Sequence, residues 1–254
     1  MTAAPSIFLD TNILKASVDS RLALLPRHEK ITWGDRDFEI EVHSPVRVNQ
    51  NTKFLAQGNH ERFQDTVALR YIAAFAKERK IALLTHEEVI FELMGLPRAT
   101  GGKMFYGAPI SKVPGPIQYS RIIFDGSGED HQYEFLCQIQ HPRFKELQRI
   151  CGAYQGIGKP PHRNQLLDAF HILCAEHASA SYFVTLDNKL IRMLTKRQTP
   201  VTAVTPITPK QLLITLVTRR PTWLWSFWRE KRRLAKSGRR LELAVQDASD
   251  EWVD

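Results

Sequence analysis

The side chains best placed for chemistry in this sequence are acids. Asp10 closes the apolar run Ser6-Ile7-Phe8-Leu9 and opens Asp10-Thr11-Asn12, a composition that favours a strand leading straight into a capped helix. Asp187 lies just past the apolar triplet Tyr182-Phe183-Val184, within Thr185-Leu186-Asp187. Asp168 falls in the first turn or so of a helical pattern whose cap is read as Asn164. Glu92 comes late in a short helix that follows Ile81-Ala82-Leu83-Leu84. Each acid has an ordinary explanation alone: a cap for Asp10, a solvated helix position for Asp168, a turn for Asp187, and for Glu92 the competition of Glu87 and Glu88. As a group, carboxylates without His or Cys suit a hard divalent cation, Mg²⁺ or Mn²⁺, which takes oxygen ligands and keeps several waters. Four acids in one cleft would repel one another unless such a cation neutralised them.

The elements that must position these acids are legible in the periodicity. Residues 61–80 read as a helix, with Phe63, Val67, Tyr71, Ala74 and Phe75 at helical spacing. A buried strand follows at 81–84, then Thr85 as a helix cap with Glu88 in a capping-box position, and a helix through Leu93 that stops near Gly95 and Pro97. A further helix spans 164–178, with Leu166, Leu167, Phe170, Leu173 and Cys174 on one stripe. Residues 182–184 and 201–204 read as strands, and 188–194 and 209–218 as helices. Residues 20–58 are mixed, with a small hairpin suggested by the alternation at 38–42. The strands of the repeating pattern lack in–out alternation, which predicts a mainly parallel, twisted central sheet covered on both faces: an α/β fold of three layers, α/β/α. In such a sheet, ligands gather beyond the carboxyl ends of the strands. Residues 97–162 are rich in Gly and Pro and have little periodicity before Phe144, so they read as an insertion. The division expected is one domain over 1–207 that includes the insertion, followed by a helical basic extension over 208–254.

Four short stretches then line up in order. They are a strand into Asp10-Thr11-Asn12-Ile13-Leu14; Val89-Ile90-Phe91-Glu92-Leu93-Met94-Gly95; Asp168-Ala169-Phe170-His171-Ile172-Leu173-Cys174-Ala175; and Phe183-Val184-Thr185-Leu186-Asp187. In these stretches the chain resembles the PIN-domain nuclease superfamily, which includes the VapC toxin ribonucleases. The resemblance covers roughly residues 5–97 and 160–205, and departs from compact members in the insertion and the C-terminal extension. It implies a PIN-like fold and an endoribonuclease that hydrolyses RNA with Mg²⁺ or Mn²⁺. Asp10, Glu92, Asp168 and Asp187 would be the ligands or the orienters of metal-bound water, with Thr11, Asn12 and Thr185 as polar neighbours. The different class of reading is a catalytically inactive PIN-like scaffold that binds RNA or protein. The short toxins are much smaller, so a toxin role does not carry over with the resemblance.

Other features carry less. His171, Cys174 and His177 share a helix but have no second clustered pair elsewhere, so zinc is not expected. Gly101-Gly102 and Gly126-Ser127-Gly128 lack the Lys-Ser/Thr of a P-loop. Asn12 stands where a haloacid dehalogenase phosphatase needs its second acid. Three widely separated cysteines suggest reduced thiols in a cytoplasmic protein. No signal-peptide core is evident, and no apolar run approaches the ~20 residues of a membrane span. The net charge of +8 is concentrated at 219–243, where nine basic residues face two acids. There Arg229, Lys231, Arg232, Arg233, Lys236, Arg239 and Arg240 follow Trp223-Leu224-Trp225-Ser226-Phe227-Trp228 in an expected last helix over 223–243. That segment admits three readings: stacking and charge for single-stranded RNA, peripheral contact with a membrane surface, or packing on its own domain. A protein inhibitor or a second copy of the chain would be the protein partners.

Overall fold

The computed structural model describes residues 4–17, 20–33, 36–49, 54, 57–93, 104–117, 128–196 and 201–219, with 223, 225, 227–229, 231 and 232 beyond. Its strands are β1 (Ser6–Leu9), β2 (Ser20–Trp33), β3 (Arg36–Asn49), β4 (Ala82–Thr85), β5 (Ile110–Lys112), β6 (Tyr182–Val184) and β7 (Thr205–Ile207). Its helices are α1 (Thr11–Ala16), α2 (His60–Lys77), α3 (Glu87–Phe91), α4 (Gly128–Gln138), α5 (Pro142–Ile150), α6 (Arg163–His177), α7 (Asn188–Thr195) and α8 (Pro209–Arg219).

Five strands pair in parallel in the order β5-β4-β1-β6-β7. Helices cover this sheet in a three-layer α/β/α arrangement, α2 packing with α8 and α5 with α6. The central strand β1 pairs Ile7 with Leu83 on one side and with Tyr182 on the other. Ile7, Phe8 and Leu9 are all fully buried, which is why β1 reads as an unbroken apolar run. The helices that feed the inner strands end alike: Arg79 (φ 55) after α2 and Ser179 (φ 50) after α6 adopt the left-handed conformation that turns the chain directly into β4 and β6. On α6, Phe170 meets Phe135, Phe144 and His86 edge-on, which locks the rotation of the helix that carries Asp168.

Several local expectations change. The residues expected to form an insertion supply strand β5 and helices α4 and α5, so the described part of 97–162 completes the sheet and its covering layer. The last strand is β7, not 201–204: β6 pairs Tyr182 with Thr205, and Pro206 is accommodated because an edge strand needs no amide on its outer side. Thr85 ends a strand; the cap of α3 is His86, whose Nδ1 accepts from the Glu88 amide at 3.1 Å. The cap of α6 is His162 and not Asn164. The small hairpin is a ribbon of two 14-residue strands, β2 and β3. Near its tip the faces differ: Lys30 opposes Glu39 and His28 opposes Glu41 on one, while Ile31 opposes Phe38 on the other. Pro26 and Pro45 fit because a two-stranded ribbon has open edges.

The extension begins by packing. Trp223 and Phe227 are buried against α2, with ring centroids 5.3 Å from Phe75 and 4.5 Å from Tyr71. Trp225 is exposed, and Lys231 lies over Trp228. Of the three readings, packing on the domain therefore holds for Trp223 and Phe227. Arg233, Lys236, Arg239 and Arg240 lie outside the described residues. Among the described residues no helix is long and apolar enough to cross a membrane.

Candidate functional site

The strand order creates one point where the chain changes direction. From β1 it steps outward to β4 and β5, then returns to β6 on the opposite side of β1. The crevice beyond the carboxyl ends of β1 and β6 is thus the place where an open α/β sheet accepts a ligand. Asp10 and Thr185 are the residues that immediately follow those two strands.

Both strand-end acids are helix caps as well. Asp10 Oδ1 accepts from the Thr11 amide at 2.8 Å, and Asp187 Oδ1 accepts from the Lys189 and Leu190 amides at 2.8 and 3.0 Å. The ordinary explanation and the functional one therefore coexist, because capping uses only part of a carboxylate's acceptor capacity. Short bonds stitch the two strand ends together. Thr185 Oγ1 donates to Asp10 Oδ2 at 2.7 Å and accepts from Asn12 Nδ2 (2.9 Å) and the Asp187 amide (3.1 Å). Asn12 Nδ2 also donates to Asp10 Oδ2 at 2.7 Å, and its Oδ1 accepts from the Leu186 amide at 2.9 Å. Thr185 is fully buried. Thr185→Val keeps its shape but leaves Asn12 and the Asp187 amide short of an acceptor. It should lower unfolding free energy by about 2–3 kcal/mol in urea titrations, with Thr185→Ser recovering most of the loss.

Asp168 projects from the second turn of α6 into the same region. Burial, then the charges of Asp10, Asp187 and Glu92, push its carboxyl up to about 8, with His171 partly offsetting them. Asp10, Asp187 and Glu92 thus each lie within electrostatic reach of Asp168. Glu88, the competitor of Glu92, turns elsewhere: it is buried and accepts from Gln132 Nε2 at 2.7 Å. Glu87 lies at the surface, 3.6 Å from Lys112. Glu92 ends α3 as its C-terminal cap and faces inward, with Oε1 2.9 Å from His171 Nε2. Among the described residues, the four acids included, no three His, Cys, Asp or Glu side chains form a group that could hold a metal ion.

Two contributors are not assigned to the site by the sequence, where His171 is weighed only as a zinc ligand and Arg62 not at all. His171 is fully buried, with Nδ1 3.2 Å from Asp10 Oδ1 and Nε2 facing Glu92. Burial opposes its protonation, but Glu92 and Asp10 outweigh that and raise its pKa to about 10. Its spacing was the available signal, since a residue three positions after Asp168 shares that face of the helix. Arg62, in the first turns of α2, donates to the Leu186 carbonyl and is half-buried beside Asp65 and Asp187. Burial holds its pKa below the usual guanidinium value. No spacing could have revealed a residue brought to the site from another layer of the fold.

Comparisons with models of known protein families, with curated proteins and with solved structures find no match for this chain.

Proposed function

We propose that this chain is a metal-dependent nuclease of the PIN type, an endoribonuclease that hydrolyses RNA phosphodiester bonds. The observation that carries the reading is the bonding of Asp10 to Thr185, and of Thr185 to the Asp187 amide, at the switch point of the sheet, with Asp168 nearby, where burial and then the charges of Asp10, Asp187 and Glu92 oppose its ionisation. Carboxylates suit a hard divalent cation, Mg²⁺ or Mn²⁺, and Asp10, Glu92, Asp168 and Asp187 are the residues that would have to draw together to hold it. When bound, the cation supplies an activated water and stabilisation of the charge that develops on the attacked phosphodiester. The chain's own part is positional. Thr185 and Asn12 fix the Asp10 carboxylate, the α7 amides fix Asp187, and Arg62 offers positive charge beside Asp187. Arg229, Lys231 and Arg232, with the basic residues that follow them in sequence, would serve as an arm for the RNA backbone. The free thiols, with Cys151 and Cys174 buried, support a cytoplasmic setting.

A second reading, a catalytically inactive scaffold, has one specific support: Asp10 takes protein donors on both oxygens, the Thr11 amide on Oδ1 and Asn12 and Thr185 on Oδ2. A cleavage assay on mixed RNA and DNA oligonucleotides with EDTA, Mg²⁺ or Mn²⁺ separates the two. The nuclease should cut RNA only with metal, and Asp10→Asn and Asp168→Asn should each cut at least ~100-fold more slowly. Metal-independent cleavage would overturn the metal-dependent reading, and cleavage of neither substrate leaves the scaffold.

A further inference from the structure

Resting on the reading above for its choice of RNA, and on none of its metal chemistry, we infer that Trp225 is a stacking platform for an unpaired base of single-stranded RNA, with Arg232 and Lys231 beside it for the adjoining phosphates.

The described helical residues of the C-terminal segment have two faces. Trp223 and Phe227, four positions apart, are buried on Phe75 and Tyr71 of α2. Trp225, Trp228, Arg229 and Arg232 follow the i, i+3, i+4, i+7 spacing of a single helical stripe, and all four are exposed. Trp225 is 80% exposed and Trp228 41%. An exposed apolar side chain alone needs no explanation. What sets Trp225 apart is its company, because guanidinium groups share its stripe. Arg229 is drawn to Glu78 just past α2, and Lys231 Nζ lies 4.8 Å from the centroid of the Trp228 ring. Those contacts pin the segment and cover one face of Trp228, which leaves Trp225 as the open ring.

The make-up of that stripe selects the occupant. A helix that lies in a membrane interface buries its apolar face among the lipids and holds its cations on the opposite one. Here the apolar face is already covered by α2, and rings and guanidinium groups share the outward stripe. An unpaired nucleotide matches such a stripe: its flat base stacks on a ring while its phosphate meets a cation. In a duplex each base face is covered by its neighbours, so an open indole has little to stack on. Beyond Arg232 the sequence adds Arg233, Lys236, Arg239 and Arg240 before its next acid, Glu242, which suits a polyanion. The segment also sits on the helix that reaches the candidate site. Phe227 stacks on Tyr71, and about 14 Å of α2, at ~1.5 Å per residue, separates Tyr71 from Arg62. A few nucleotides of extended strand bridge that distance.

The test is fluorescence anisotropy of labelled oligouridylate with the full-length protein in EDTA, where no cleavage is needed. The proteins are the parent, Trp225→Leu and Trp225→Phe. Leucine keeps the apolar bulk without a ring face, and phenylalanine keeps a ring; at so exposed a position neither disturbs the core. Trp225→Leu should bind at least ~5-fold more weakly than the parent, and Trp225→Phe should recover most of the loss. Arg232→Gln should lower the slope of log affinity against log salt by about 0.7. A slope left unchanged removes Arg232 from the phosphate contact.

A smaller loss in Trp225→Leu, or duplex RNA bound as tightly as the single strand, overturns the platform. Oligothymidylate bound more tightly than oligouridylate, with the same dependence on Trp225, overturns RNA as the occupant. Sedimentation with phosphatidylserine vesicles by a protein that does not bind oligouridylate overturns the inference in favour of a membrane surface. The nuclease reading fails separately. Trp225-dependent binding by a protein that cuts nothing with any metal leaves this inference standing, whereas metal-dependent cleavage without that binding overturns the inference alone.

Discussion

Asp168→Asn should melt above the parent protein in metal-free buffer at pH 8. An aspartate in an unfolded chain titrates near 4, whereas burial and three neighbouring carboxylates push Asp168 up to about 8 in the folded protein. The folded state therefore holds this proton more tightly, and protonation favours folding. Below about pH 4 both states carry the proton and nothing is lost. As pH rises from about 4 to about 8 the unfolded chain gives up its proton while the native one does not, so stability falls across that window and levels off above it. The full shift corresponds to about 5–6 kcal/mol, and partial solvent access reduces this to about 2–4 kcal/mol. The amide of the Asp168→Asn variant has no such titration, and the gap between variant and parent should open between pH 4 and 8. Millimolar Mn²⁺ should close it by stabilising the ionised parent only. A parent whose stability is flat from pH 4 to 8, or a variant that melts below it, would contradict this account of the cluster.

Asp10→Ala should move stability the opposite way. Truncation at Asp10 strands the Thr11 amide, Asn12 and Thr185 in a buried region and leaves His171 only Glu92, and unmatched buried donors are costly. A loss of about 3–5 kcal/mol is expected from urea unfolding at pH 7. Asp10→Asn should lose less, about 2–3 kcal/mol, because its amide can turn only one oxygen toward two pairs of donors. Two aspartates in one cluster thus have opposite expected effects. Asp10 is saturated with donors, while no hydrogen bond reaches Asp168 among the described residues. Any cleavage assay with Asp10 variants needs circular dichroism beside it, and Asp168→Asn is the control that should keep its fold.

The parallel sheet was readable because its strands are buried on both faces and so lack alternation, as Phe8 and Phe183 show. The ribbon was underestimated because Pro26 and Pro45 usually end a strand, and only an element with open edges tolerates them. The last strand was misplaced by Pro206 for the same reason. Residues 110–112 and 128–138 carry too little periodicity to announce a fifth strand and a covering helix, and the pattern that begins at Phe144 does not by itself place the second helix. Their place follows from the edge that β4 leaves open and the α6 face that α5 covers.

Within the site, the sequence by itself determined the four acids as candidates and the strand ends that carry two of them, since Asp10 follows a short apolar run directly and Asp187 comes three residues after another. Helical phase could not separate Glu88 from Glu92, because residues four apart share a face. Only the stop of α3 at Phe91 turns Glu88 toward Gln132 and Glu92 toward His171. The counter-charge was likewise decided in three dimensions. In the sequence His171 is weighed only as a zinc ligand and set aside, until α3 and β1 bring a carboxylate to each of its ring nitrogens, and Arg62 comes from another layer altogether. Local spacing can place an acid at the end of a strand. Which charges then face it depends on packing between elements far apart in the chain, and that packing sets how firmly the acids are held and how readily a cation can take them.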